Sequence, residues 1–335
     1  MKRKWFLMFA VLMITVMVSI SVGSVNVPFD AIISIIFNPS SVTESQQQYV
    51  NIINVIRIPR VFTVMLVGMA LSLSGAVMQG LLKNPLADGS TLGVSSGAAL
   101  GAILTMILGW VIPIQGLNMI FIGASLGAFL SMMGILAFAR LLDQSFSNAT
   151  LILVGIIYSM LTSSIMSLLI AMSGEKLRNI VFWSMGSLAG TTYSDVKILL
   201  GVIIVCLAVL FWKARDLNAF ALGEDQARNI GVDVVKSRII LLVVVSVLIG
   251  ASVAIAGTIA FVGLIIPHIT RRISGPNHIT LFINCFFVGG TFLMLADLFA
   301  RTILAPQELP IGVITALIGT ILFLMILVKE KREER

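Results

Sequence analysis

Apolar runs of membrane-spanning length follow one another along almost the whole chain, and this succession limits what the chain can fold into. A spanning helix needs about 20 mostly apolar residues. Runs of that size occupy residues 5–25, 60–82, 92–110, 117–140, 150–172, 194–212, 238–256, 259–273, 279–300 and 309–328. They are continuously apolar rather than alternating, so they read as helices and not as barrel strands. Only 11% of the 335 residues are charged and 58% are apolar, whereas roughly a quarter of a soluble domain is charged. The expected fold is all-α: one polytopic membrane domain over residues 1–335, with about ten transmembrane helices. The eighth run is short and contains Pro267, which suggests a partial or tilted helix.

The N-terminus, Met1-Lys2-Arg3-Lys4 followed by an apolar run, imitates a secretory signal. The length of the run and the weak cleavage context Ser21-Val22-Gly23-Ser24 favour a retained first span. The net charge of +7 reads as topology rather than as nucleic-acid binding. With the N-terminus inside and the runs alternating, sixteen of the 22 Lys and Arg residues fall on the inner side. Both ends are therefore expected in the cytoplasm. Two segments outside are substantial. Residues 26–54 are polar, and residues 173–193 read either as a short helix near the outer mouth or as an ordinary re-entry loop.

One polar island, residues 212–238, interrupts the lipid-compatible sequence on the inner side. Gly223 and Gly231 punctuate it. Leu222, Ala227 and Ile230 can share one side of a short helix, leaving Glu224, Asp225, Arg228 and Asn229 exposed. Such a helix suits a groove on a soluble partner, and a merely solvated loop is the alternative.

The rest of the chain offers little chemistry. The nearest approach to a phosphate-cradling loop, Val235-Lys236-Ser237, lacks the preceding glycine, so ATP hydrolysis is not expected here. Ionisable groups within the runs are few. Asp297 and Arg301, one turn apart, read as a local ion pair near the outer end of the ninth run, and proton coupling is the alternative. His268 and His278 belong to no ligand cluster, and Cys206 and Cys285 read as small buried hydrophobes. No metal site and no catalytic residue is expected. Gly93, Gly97 and Gly101, and likewise Gly123 and Gly127, recur every four residues and let helices approach closely.

Several strings, in order, resemble the FecCD family of ABC-importer permeases. They are Asn84-Pro85-Leu86-Ala87-Asp88, Leu92-Gly93-Val94-Ser95-Ser96-Gly97, Ala221-Leu222-Gly223 with Ala227-Arg228 and Gly231-Val232, Phe261-Val262-Gly263-Leu264-Ile265-Ile266-Pro267-His268, Gly275-Pro276-Asn277-His278, and Glu308-Leu309-Pro310-Ile311-Gly312-Val313. The resemblance implies a multi-pass permease subunit of a bacterial cytoplasmic membrane that imports an iron–siderophore, or haem or cobalamin. It implies pairing with a second permease subunit, identical or paralogous. It also implies two cytoplasmic ATPases that use ATP and Mg, with no cofactor bound by this chain, and an extracytoplasmic binding protein. By the same resemblance, Leu222, Gly223, Glu224, Ala227, Arg228 and Gly231, within a segment at about 213–238, couple to the ATPases. Arg57, Arg60 and Arg301 meet the binding protein, and Asn84, Leu86, Ser147 and Asn148 close the path toward the cytoplasm. The chain departs from the family pattern at Thr258 and Ala260, where many relatives carry Pro and Gly. A stand-alone secondary transporter, needing neither partner, is the reading from another class.

Overall fold

The computed structural model describes residues 2–23, 25, 27–37, 43–89, 91–109 and 118–333. Among these the fold is helical throughout. In chain order the helices are α1 (Lys2–Ser21), α2 (Phe29–Phe37), α3 (Glu44–Asn51), α4 (Ile58–Leu82), α5 (Val94–Leu108), α6 (Met119–Leu142) and α7 (Asn148–Ala171). There follow α8 (Leu177–Ser184), α9 (Tyr193–Leu222), α10 (Glu224–Asn229), α11 (Val234–Ala256), α12 (Val262–Ser274), α13 (His278–Thr302) and α14 (Ile311–Glu333). Among the described residues seven are long and apolar enough to cross a membrane, α5 is a shorter apolar helix, and α14 contributes the apolar segment Ile311–Ile326. α12 has 13 residues with Pro267 inside. At 1.5 Å per residue it is about 20 Å long, short of a core of roughly 30 Å, so the non-helical stretch 257–261 before it makes up the rest of this crossing.

The ten expected runs thus map onto α1, α4, α5, α6, α7, α9, α11, α12, α13 and α14, with three adjustments. The stretch 26–54, expected to be polar, contains the apolar α2, whose Ala31, Ile32 and Ile35 are buried, and the polar α3, which continues through a π-helical turn, Ile52–Arg57, into α4. Residues 173–193 do hold a short helix: a 3-10 turn, Gly174–Lys176, leads into α8. Finally, α9 runs on to Leu222, so the first part of the polar island is helix. Exposed Trp212, with Lys213 Nζ 4.5 Å from its ring centroid, marks the membrane boundary along α9.

The chain ends its helices where its residues dictate. The side chains of Asn118, Ser147, Asp233 and Asn277 accept backbone N–H bonds at the starts of α6, α7, α11 and α13, and Thr192 with Asp195 forms a capping box on α9. α4 and α11 are the most enclosed spans, whereas α1, α7 and α9 are peripheral. Close crossings between them depend on glycine. A Cβ on Gly75 would lie 1.7 Å from the Gly263 carbonyl oxygen, and one on Gly68 would lie 2.3 Å from that of Gly289. The α5–α6 stripe packs as expected: Cβ atoms on Gly101 and Gly127 would meet the carbonyls of Gly123 and Gly97 at 2.1 and 2.2 Å. Gly93 plays a different part. It caps α5 in a left-handed conformation, φ 72°.

The ends of α1 and α11, the starts of α4 and α14 and helix α8 are joined by the Arg301–Ser19, Arg60–Glu308, Ile311–Gly186 and Ser187–Ala256 bonds, so α3 and α8 lie on one face of the bundle and both described ends and α10 lie on the other.

Candidate functional site: a central cavity between an exposed short helix and a buried arginine network

A cavity of about 600 Å³ opens among α4, α5, α7, α8, α11, α12 and α14. Its wall is mostly hydroxyl, thioether and aliphatic, including Ser74, Ser95, Ser96, Met166, Met185 and Thr320. Asp88 is its one charged lining residue, and its carboxylate is occupied by the backbone N–H and hydroxyl of Thr91, each 3.2 Å away. Such a wall offers contacts without strong anchors. The non-helical stretch before α12 contributes Thr258, Ile259 and Ala260. Here the departure from the family pattern has a structural use: the Thr258 hydroxyl donates to the Ser184 carbonyl and ties this stretch to α8. Gly186 and Gly312 crowd the Thr258 carbonyl, each with an added Cβ 2.7 Å from it.

On the α10 face, backbone geometry shapes the island. Gly223 breaks α9 with φ 128° and ψ 152°, a conformation that only glycine adopts freely. Glu224 and Asp225 occupy the first turn of α10, where carboxylates complement the helix dipole. Gly231, φ 89°, ends the helix in a Schellman motif: Val232 N–H donates to Ala227 O (3.0 Å) and Gly231 N–H to Arg228 O (2.9 Å). Sequence had grouped Leu222, Ala227 and Ile230 on one side and left Glu224 exposed. The structure separates them. Ala227 is fully buried and holds α10 to the bundle, while Leu222 and Ile230 are each 65% exposed. Glu224 turns back instead, its Oε1 accepting from Arg238 at 2.5 Å. The outward surface of α10 is therefore apolar residues flanking Asp225, Arg228 and Asn229.

The α6–α7 turn lies beside it. Asp143 accepts from the hydroxyl and N–H of Ser145 (2.6 and 2.8 Å) and from the N–H of Ser147 (2.9 Å). Those bonds, the Ser145 hydroxyl first, hold its pKa well below the usual carboxylate range. The turn is therefore insensitive to pH near neutrality. Ser147 caps α7 and Asn148 begins it. The other inner turn carries Asn84, whose side chain accepts from Leu86 N–H at 2.9 Å, and Leu86, half exposed. None of these four residues lines the cavity; their neighbours Asp88 and Gly89 do.

On the opposite face the three arginines expected at a docking surface are all buried in this conformation. Arg57 donates to the carbonyls of Ile20 (2.9 Å), Ser21 (2.8 Å) and Val25, closing the end of α1. Arg60 pairs with Asp297 (2.9 Å) and Glu308 (2.8 Å). Arg301 pairs with Asp297 (3.3 Å) and donates to Ser19 O (2.5 Å). The expected Asp297–Arg301 pair is present but belongs to a larger network joining α1, α4, α13 and the segment before α14. Sequence missed Arg60's place in it because the partners lie 237 and 248 residues away. It also missed Arg238, which it counted only toward topology. The available signal was a charge at the very start of an apolar run. Cys206 and Cys285 are buried and unpaired, as expected.

A multi-pass helical bundle with a weakly polar central cavity and a short helix exposed at one face is the architecture of a membrane permease. Residues 11–329 match the FecCD transport family, and the chain belongs to that family. It is 41% identical over 330 residues to the uncharacterized ABC transporter permease protein YvrB of Bacillus subtilis (strain 168), covering 98% of this chain and 94% of the relative. The cobalamin import system permease protein BtuC of Halobacterium salinarum is 41% identical, over 82% of this chain and 73% of its own length. The vitamin B12 import system permease protein BtuC of Yersinia pestis is 38% identical, over 82% of this chain and 81% of its own length. Among solved structures, one described as an inward-facing conformation of a metal-chelate type ABC transporter superimposes with a TM-score of 0.85 at 33% identity. It spans 98% of this chain and all of that one. The protein is thus an ABC-importer permease subunit and not itself an ATPase.

Proposed function

We propose that the chain forms the membrane path for an intact metal chelate, with an iron–siderophore as its substrate. The observation that carries this reading is the cavity: roomy, faced with hydroxyls, thioethers and aliphatic groups, and almost free of charge. A bulky chelate passes such a wall without being held. Cobalamin is the second reading, favoured by the likeness to the cobalamin and vitamin B12 import permeases BtuC.

In this scheme the α10 face is cytoplasmic, consistent with the excess of Lys and Arg on that side. One of two ATPases docks on the α10 of each permease subunit through Leu222, Arg228 and Ile230, with Gly223, Ala227 and Gly231 shaping the helix and Glu224 facing inward. A second copy or paralogue packs along α7 and α14, which leave apolar faces exposed and contribute Met166, Leu317 and Thr320 to the cavity. Asn84, Leu86, Ser147 and Asn148 close the inner end. A binding protein delivers the chelate to the opposite face. There Arg57, Arg60 and Arg301 act from beneath the surface, and direct pairing with an acidic partner requires the Asp297 and Glu308 bonds to open.

Uptake by cells carrying the complete transporter tests the substrate. Import of a radio-iron ferric hydroxamate, with labelled cyanocobalamin excluded, supports the first reading. The reverse selects the second, and import of neither contradicts the chelate class.

A further inference from the structure

Arg238 is the largest fully buried side chain of the described residues, at 1% exposure, and it stands at the start of α11. Its guanidinium spans two elements that share no sequence. One nitrogen takes Glu224 Oε1 of α10 at 2.5 Å and Asn148 Oδ1 of α7 at 3.3 Å. The other takes the carbonyl of Phe146 and that of Ser145 at 3.2 Å. Phe146 is itself buried and held at φ 54°. The α6–α7 turn beyond it is rigid, because Asp143 binds Ser145 and Ser147. α7 then lies directly on the other inner turn: a Cβ on Gly155 would be 2.6 Å from Thr91 O and 2.8 Å from Leu92 Cα. That turn supplies Asp88 and Gly89 to the cavity wall.

We propose that Arg238 is a positioning residue that couples the docking helix to the inner end of the path, by clamping Glu224 of α10 to the turn 145–148. Guanidinium suits the task. Its planar fork holds several acceptors in fixed relative geometry, which an ammonium cannot do. A buried charge bonded on both sides also cannot release one side cheaply. Displacement of α10 therefore moves the turn, and α7 with it. The proposal rests on α10 as the ATPase-docking helix, but concerns what lies behind it.

Contiguity becomes coupling only when a change at one end shifts the other. The test uses the complete transporter, with its ATPase subunits, in nanodiscs. Spin labels are placed by Lys83→Cys and Gln144→Cys, both exposed and one on each inner turn; the native cysteines are buried. Mg-ATP is expected to shift the distance between the labels. Glu224→Gln keeps shape but loses the charge. It is expected to assemble with the ATPases and hydrolyse ATP, yet to lose the shift and at least ~5-fold in uptake per ATP. Asn148→Ala is expected to act in the same direction, and the double variant to lose no more than the worse single one. A shift retained in Glu224→Gln, additive losses, or no shift in the parent would each overturn the clamp. Failure of Glu224→Gln to assemble would overturn it too, making Glu224 an ATPase contact. Leu222→Asp with Ile230→Asp separates the underlying reading. If that variant assembles normally, docking at α10 fails; if it does not assemble while Glu224→Gln keeps its shift, docking stands and only the clamp falls.

Discussion

Asp297 is 2% exposed and serves two guanidiniums, Arg60 and Arg301. Removing it takes a carboxylate from two buried cations and leaves Arg60 with Glu308 and Arg301 with the Ser19 carbonyl, so Asp297→Ala is expected to destabilise the permease by about 3 kcal/mol, read as a lower unfolding temperature in detergent. An unchanged transition would mean that the network is solvated. Gly75 makes a sharper demand, because its neighbour is backbone and cannot rotate away. Gly75→Ala must push α4 and α12 apart, at a cost of about 1–3 kcal/mol or more, and is expected to lower yield and unfolding temperature together. At this scale the sequence was legible only in part. Glycines at four-residue spacing announced close packing, because that signal is local. Arg60, Asp297 and Glu308 come together only through tertiary structure, and no spacing rule joins residues so far apart. The residues expected to face a partner consequently proved to be internal.

In the proposed scheme, helices α9, α10 and α11 form the element on which the drive depends. Leu222 and Ile230 leave apolar side chains in the open on either side of Arg228, while buried Ala227 anchors the helix. Leu222→Asp with Ile230→Asp is therefore expected to abolish co-purification with the ATPases without altering the unfolding temperature of the permease; retained co-purification would remove α10 as the docking element. The limits of this element were readable from Gly223 and Gly231, whose positive φ values the chain needs at those points. Its facing was not readable. A six-residue helix has too few turns for hydrophobic periodicity to decide which side is buried. The same shortness hid α2 and α3 within a stretch read as polar, whereas the long runs from α4 to α14 were plain from apolar length alone.

For the whole molecule, the element order puts both described ends and α10 on one face. Cysteine placed at Gln226 of α10 is expected to react with an impermeant maleimide only from the cytoplasmic side, and cysteine at Arg178 of α8 only from outside; both positions are exposed and the native cysteines are buried. Labelling of Gln226→Cys in intact cells would invert the topology. That the chain is a ten-run helical membrane protein followed from composition and order, since lipid leaves few alternatives, whereas the permease class followed from the resemblance of its motifs. The cargo did not follow, because a path that must release its substrate carries no strong recognition chemistry.

The account turns on motion entering through α10, and uptake per ATP hydrolysed by the reconstituted complete transporter measures this most directly. The cargo is whichever of a ferric hydroxamate or cyanocobalamin the parent carries. With Gly223→Ala and Arg228→Ala combined, the account predicts an assembled, folded complex whose uptake per ATP falls by at least ~10-fold. Stoichiometry equal to the parent's would contradict it.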